Sequence, residues 1–147
     1  MTIAALILFA LFLVIAALHF AWGLGFLWPA KTERELVSLV VGKTGLEKMP
    51  SPLQCFAAAG AIFLAGLLAL VAGNIIELPW MKNISTLLAL VAACIFLGRG
   101  IAGFLPAWRV RFSQQPFATL DRSYYSPFCL GAAAIFLLLV LGRLSPI

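Results

Sequence analysis

The sequence predicts an all-α membrane protein with four transmembrane helices, because apolar residues dominate the chain and cluster in four long runs. Of its 147 residues, 64% are hydrophobic and only 10% are charged, and the mean hydropathy is +1.12. A soluble domain carries about 25% charged residues. A soluble fold of this size cannot bury this much apolar surface. We therefore expect lipid to cover it. The whole chain, 1–147, is expected to form one transmembrane domain.

The predicted helices cover about residues 3–28, 53–73, 84–105 and 127–144. Each run has about 18 residues or more, which is enough to cross a hydrocarbon core of about 30 Å as a helix. A helix also satisfies its own backbone hydrogen bonds in lipid. The first run has no basic leader and is too long for a signal peptide, so we expect it to be retained.

The connections between the runs predict the orientation of the bundle. The first loop (29–52) is polar, and its segment 32–41 is expected to form a short interfacial helix. The second loop (74–83) is short, and the third (106–126) is basic. The first and third loops share one side and together carry seven basic residues: Lys31, Arg34, Lys43, Lys48, Arg109, Arg111 and Arg122. The other side carries Lys82 and Arg143, so both polar loops are expected to be cytoplasmic and both termini outside.

An internal repeat predicts how the helices are arranged. Gly25-Phe-Leu-Trp-Pro-Ala30 resembles Gly103-Phe-Leu-Pro-Ala107, and Ser51-Pro-Leu-Gln-Cys55 resembles Ser126-Pro-Phe-Cys129. We interpret these pairs as a duplicated helical hairpin, whose two copies are related by a pseudo-twofold axis along the membrane normal. Each Ser-Pro pair suits a helix start, with serine as the cap and proline in the first turn.

Small residues recur every four positions and predict close helix packing. The stripes are Ala17, Ala21 and Gly25; Ala61, Ala65, Ala69 and Gly73; and Ser85, Ala89 and Ala93. Such stripes let helix backbones approach each other in lipid. They fit tight packing within this chain, and they also fit packing against a partner membrane protein or a second copy.

Polar residues inside the apolar runs are the best candidates for a site, since they are costly in lipid. His19 and Arg99 are the clearest examples; at 1.5 Å per residue they lie about 14 Å and about 10 Å inside the predicted helix ends. Trp22 shares the helix face of His19. The notable polar groups fall in the cytoplasmic half, and the opposite half is nearly all Leu, Ile, Val and Ala. The candidate ligand-binding residues are His19, Trp22, Gln54, Arg99, Asp121, Arg122 and Tyr125.

Two interpretations of His19 and Arg99 remain open. In the functional one, both line a cavity together with the 121–125 segment, with histidine exchanging a proton and arginine holding an anionic head group. In the structural one, Arg99 reaches the interface or pairs with Asp121, and His19 bonds a carbonyl across helices.

Several other classes of function lack their motifs. The net charge of +5 does not indicate nucleic-acid binding, because there is no soluble basic face. The three cysteines have no Cys-x-x-Cys spacing and the single histidine gives no metal-site pattern. No nucleophile motif and no phosphate-binding glycine loop occurs outside the apolar runs, and the cofactor stays unknown.

Two motifs carry a family resemblance. His19-x-x-Trp22-Gly-x-Gly25 with Trp28-Pro29, and Leu120-Asp-Arg-Ser-Tyr-Tyr-Ser-Pro-Phe-Cys-Leu130, are similar to motifs of the bacterial domain-of-unknown-function family numbered 3995. The resemblance covers the whole chain and implies a four-helix plasma-membrane protein. It also implies that His19, Trp22, Asp121, Arg122, Tyr125 and Pro127 belong to one shared feature.

The leading hypothesis is a bundle in the bacterial inner membrane that binds an amphiphile, such as a lipid, isoprenoid or quinone, in its cytoplasmic half. It could be an enzyme that acts on this ligand. The alternative is an accessory or assembly subunit of a larger membrane complex. Proton-coupled transport is weaker, since a transport path needs polar groups through the full depth.

Overall fold

The computed structural model describes residues 1–43 and 45–144, and this part of the chain contains helices and turns without a β-strand. Thr44 and residues 145–147, which the predicted domain 1–147 includes, lie outside the described residues. The long helices are α1 (Thr2–Gly23), α3 (Pro52–Ala72), α4 (Lys82–Ala102) and α7 (Ser126–Leu144). Shorter helices are α2 (Glu33–Val40), α5 (Pro106–Arg111) and α6 (Phe117–Leu120). A 3-10 turn at Pro79–Met81 precedes α4, and a π-helical turn at Asp121–Tyr125 joins α6 to α7.

Four helical segments are long and apolar enough to cross a membrane, which confirms the predicted class. Only 22% to 33% of the most apolar stretch of each segment is buried inside the protein. The remaining apolar side chains face outward, so the outer surface of the bundle suits lipid and not water.

The helices associate as two pairs, with the most extensive contacts between α1 and α3 and between α4 and α7. The pairs meet in a core on the side of the bundle that holds the N-terminus and the end of α7, which we call the terminal side. The opposite side, which holds the first and third loops, is called the loop side. Stacked rings of Phe12, Phe96 and Phe136 mark the centre of the core, with centroids 5.1 Å (Phe12 to Phe96) and 6.1 Å (Phe96 to Phe136) apart.

Small residues provide the close packing on the terminal side. Ala69, Ser85, Ala89 and Ala93 are buried there, as the predicted stripes require. Ala17 and Ala61, from the same stripes, are exposed. The α4 stripe is therefore buried throughout and the α3 stripe only at Ala69, whereas no member of the α1 stripe is buried.

Helix α1 ends at Gly23, five residues before the predicted end at Trp28. Gly25 has a positive φ of 89°, which glycine adopts without strain. The amide of Gly25 donates to the Trp22 carbonyl and that of Phe26 donates to the Ala21 carbonyl, which is the Schellman arrangement of a helix C-terminus. His19 is therefore only four residues, about 6 Å, from the helix end, and the predicted depth of about 14 Å is wrong.

The last transmembrane segment begins at Phe117 and not at Pro127 as predicted, because α6, the π turn and α7 form one continuous helix of 28 residues. Pro127 has no N–H, and inside an α-helix its ring would meet the carbonyl four residues earlier. The wider turn before it accommodates this, with the Ser126 amide donating to the Asp121 carbonyl. Ser51 does cap α3 through a capping box with Gln54, whereas Ser126 lies within the continuous helix.

Candidate functional site

A large cavity lies between the two helix pairs on the loop side. Its volume is about 1090 Å³, at the upper end for sites that bind small molecules. All four long helices contribute to its wall, and α2 and the third loop cover it at the loop side. The lining side chains on which the following description depends are Phe12, His19, Trp22, Gln54, Cys55, Ala58, Phe96, Arg99, Trp108, Tyr125, Phe128 and Cys129.

The inner end of the cavity is apolar and rigid. Phe12 forms its floor, stacked on Phe96 and in edge contact with Phe128 at 5.9 Å between centroids. Ile62 of α3 adds an aliphatic wall. Along α1 the lining continues from Phe12 to Trp22, about 15 Å at 1.5 Å per residue. The cavity therefore has room for an elongated apolar group.

His19 lies near the outer end of the cavity with one ring nitrogen engaged. Its Nδ1 is 2.8 Å from the carbonyl oxygen of Ile15, one turn earlier in α1. A carbonyl only accepts, so Nδ1 carries a proton, and in the imidazole tautomer protonated on Nδ1 the other nitrogen, Nε2, is a hydrogen-bond acceptor. The structural interpretation expected a carbonyl of another helix, but the partner belongs to the same helix. The Trp22 ring lies 4.9 Å from the imidazole, and its indole N–H donates to the Trp28 carbonyl at 2.8 Å.

Arg99 belongs to a closed polar cluster with Asp121. A guanidinium nitrogen is 2.5 Å from the Asp121 carboxylate, and another donates to the Ser126 hydroxyl at 3.3 Å. Asp121 is 2% exposed, and it also accepts from the Trp108 indole at 3.0 Å and from Ser126 at 3.2 Å. The Trp108 ring covers the guanidinium at 4.6 Å. The pairing expected in the structural interpretation is confirmed, so Arg99 lines the cavity as a cation whose charge is already compensated.

Gln54 reaches the cavity from the start of α3. Its side-chain oxygen accepts from the Ser51 amide at 2.9 Å and from the Ser51 hydroxyl at 3.2 Å. The oxygen is thus used by the cap, and the amide nitrogen is the part of this side chain that can donate to a ligand.

The two polar loops come together as a roof over the cavity. A short helix does form within the expected segment 32–41. Thr32 caps α2 by accepting from the Glu35 amide, and the side chains of Leu36 and Val37 are fully buried. The Tyr125 hydroxyl donates to the Leu39 carbonyl at 3.2 Å. Gly42, at a φ of 66°, packs so closely on Phe117 that any Cβ there would collide with its ring. These contacts bind the first loop to the third.

The structure thus places the seven predicted site residues in three environments. His19, Trp22, Gln54, Arg99 and Tyr125 line the cavity. Asp121 lies behind Arg99 and is buried, and Arg122 is exposed outside the lining. The wall can therefore accept and donate hydrogen bonds and stack on a flat ligand group. The charge of Arg99 in this wall is neutralised by Asp121.

Sequence reasoning missed two polar features. Cys55 and Cys129 line the cavity, although they were not among the candidate ligand-binding residues. On the terminal side, Arg143 donates to the carbonyls of Val71 and Ala72 and to the Ser85 hydroxyl. Arg143, which sequence reasoning used only for the charge count of this side, satisfies carbonyls left free at the end of α3. An arginine in the last turn of an apolar helix was the available signal.

A comparison with protein-family models finds a match over residues 12–136 to a family described as protein of unknown function (DUF3995). The match covers most of the chain and includes both motifs described above. No curated protein and no solved structure matches the chain.

Proposed function

The chain belongs to the DUF3995 family of proteins of unknown function, and from the geometry of its cavity we propose that it binds an amphiphilic small molecule between its two helix pairs. The observation that carries this proposal is one cavity of about 1090 Å³ with an apolar aromatic floor and a polar outer end. Ligand sites typically combine mostly apolar walls with a few placed polar groups.

The two ends of the cavity suit the two parts of an amphiphile. An apolar chain fits among Phe12, Phe96 and Phe128, where it would be shielded from water. A polar head fits near His19 and Gln54, where an acceptor and donors are available. A lipid, an isoprenoid or a quinone has this division.

The orientation we propose places the cavity in the cytoplasmic half of a bacterial inner membrane, with both termini outside. The seven basic residues of the two roof loops, against two on the terminal side, support it. An impermeant maleimide added to intact spheroplasts should label Asn83→Cys, on the terminal side, in a cysteine-free background. Lys48→Cys should react only after permeabilisation. The reverse labelling would overturn the orientation.

We further propose that the two helix pairs are duplicated hairpins related by a pseudo-twofold axis along the membrane normal. Extensive packing within α1–α3 and within α4–α7, with fewer contacts between the pairs, supports this. The cavity then lies where the two copies diverge. The two copies differ in local structure where their second helices begin, since Ser51 caps α3 and Ser126 lies within the continuous last helix.

Native mass spectrometry of the gently solubilised chain, followed by lipid extraction, tests the binding proposal. We expect a stoichiometric amphiphile on the parent protein. Ala58→Trp should abolish its retention, because Ala58 lines the cavity and an indole would fill the space. Ala57→Trp is the matched control, since Ala57 is the preceding residue of the same helix and faces outward.

Two outcomes would contradict the proposal. A chain without a bound amphiphile, or one that loses it equally in both tryptophan variants, would show that the cavity is not the site. A chain that is isolated only with another membrane protein would support the alternative of an accessory or assembly subunit.

A further inference from the structure

We propose that the amphiphile in this cavity is uncharged and carries a hydroxyl group, as an isoprenoid or other long-chain alcohol does. This inference rests on the proposed binding function and specifies the chemistry of its ligand. Three properties of the wall support it: its charge, its hydrogen-bonding groups and its length.

The charge of the wall is compensated before a ligand arrives. Among the described lining residues, His19 and Arg99 are the basic side chains, and Arg99 is paired with Asp121 at 2.5 Å. The basic residues of the third loop, Arg109, Arg111 and Arg122, are exposed and lie outside the lining. A phosphate or carboxylate moved into the cavity would lose its water without gaining an uncompensated cation, which is strongly unfavourable.

The hydrogen-bonding groups at the outer end require both a donor and an acceptor on the ligand. Because Nδ1 of His19 is engaged by the Ile15 carbonyl, Nε2 is the ring nitrogen left to accept in the tautomer protonated on Nδ1. The Tyr125 oxygen, which donates its proton to Leu39, can also accept. The amide nitrogen of Gln54 donates. A hydroxyl matches both kinds of group. A carbonyl head group matches only the donor and leaves the acceptors without a partner, which costs free energy in a site from which water is displaced.

The length of the cavity fits a chain and not a compact solute. The lining extends about 15 Å along α1 from Phe12 to Trp22, and the stretch from Phe12 to His19, about 10 Å, is aliphatic or aromatic. A linear isoprenoid with a terminal hydroxyl would place its chain over Phe12 and its oxygen at the level of His19 and Trp22.

The test compares three probes of similar chain length: geranylgeraniol, geranylgeranyl phosphate and the hydrocarbon phytane. Binding to the full chain, delipidated in detergent, is followed by intrinsic fluorescence, because Trp22, Trp28 and Trp108 line the cavity. We expect geranylgeraniol to bind at least about tenfold tighter than either other probe.

Two variants assign that preference to residues. His19→Phe keeps an aromatic ring and removes the acceptor nitrogen. It should therefore weaken the binding of geranylgeraniol by about fivefold and leave the binding of phytane unchanged. Asp121→Asn removes the charge that compensates Arg99. This variant should therefore bind geranylgeranyl phosphate about tenfold tighter than the parent protein does. His19→Phe decides the question alone if Asp121→Asn does not fold.

The outcomes separate this inference from the binding proposal. Phosphate binding as tight as alcohol binding in the parent, or equal binding of phytane and geranylgeraniol, would overturn the inference while leaving a binding cavity. Failure of all three probes in the parent, with native lipid retained equally by Ala58→Trp and Ala57→Trp, would overturn the binding function itself.

Discussion

Replacing Arg99 with leucine would remove the cation beside Asp121 and leave a carboxylate that is only 2% exposed. The ion pair is short, at 2.5 Å, and its side chains are 29% (Arg99) and 4% (Asp121) exposed. Breaking one side of a buried pair costs about 3–5 kcal/mol. Because Arg99 is partly exposed, we expect a loss near the lower limit, about 3 kcal/mol.

Thermal unfolding of the detergent-solubilised protein measures this loss. For a chain of this size, 1 kcal/mol corresponds to about 2–4 °C in Tm, so Arg99→Leu should lower Tm by about 6–12 °C. Arg122→Ala is the control, since Arg122 is the exposed neighbour of Asp121, and its Tm should stay within about 2 °C of the parent.

The double variant, Arg99→Leu with Asp121→Asn, tests whether charge imbalance causes the loss. The asparagine oxygen can accept from Trp108, and its NH2 group can donate to the Ser126 hydroxyl, which no longer accepts from Arg99. The double variant should therefore be more stable than Arg99→Leu alone. We expect the summed losses of the single variants to exceed the loss of the double variant by at least about 1 kcal/mol. Additive losses, or a fall below about 2 °C for Arg99→Leu, would refute the reasoning.

Three further predictions concern contacts elsewhere in the bundle. Tyr125→Phe removes one hydrogen bond to the end of α2, so hydrogen exchange of α2 should accelerate by about fivefold, equivalent to about 1 kcal/mol; unchanged exchange would show that the bond does not hold the roof. Arg143→Leu leaves helix-end carbonyls without a donor and should lower Tm by at least about 4 °C. Gly100→Ala should destabilise by about 1–3 kcal/mol, because a Cβ there lies 2.6 Å from a side-chain atom of α7. Gly98→Ala, two residues earlier with open space around it, should be neutral or stabilising by up to about 1 kcal/mol; equal effects of the two alanines would contradict the packing described.

Part of the site was predictable, because polar residues are rare in apolar helices. His19 and Arg99 stood out for this reason, and the pairing of Arg99 with Asp121 was one of the two interpretations considered. The cavity itself was not predictable from sequence, since its walls depend on how far two helix pairs diverge. The local signal at Gly25 was present in the sequence, but the apolar run continues to Trp28 and the prediction followed that run.

The sequence by itself determined the four transmembrane segments, the sharing of one side by the two polar loops and the family. Hydropathy and the positions of basic residues can be read directly along the chain. In lipid, each apolar run must also form its own backbone hydrogen bonds, which requires a helix. Only the tertiary structure decided what the polar residues do. Asp121 neutralises Arg99 from 22 positions away, Arg143 caps a helix 71 positions away, and Tyr125 holds the roof from 86 positions away. Such contacts depend on the directions of side chains on packed helices, which a one-dimensional pattern does not contain.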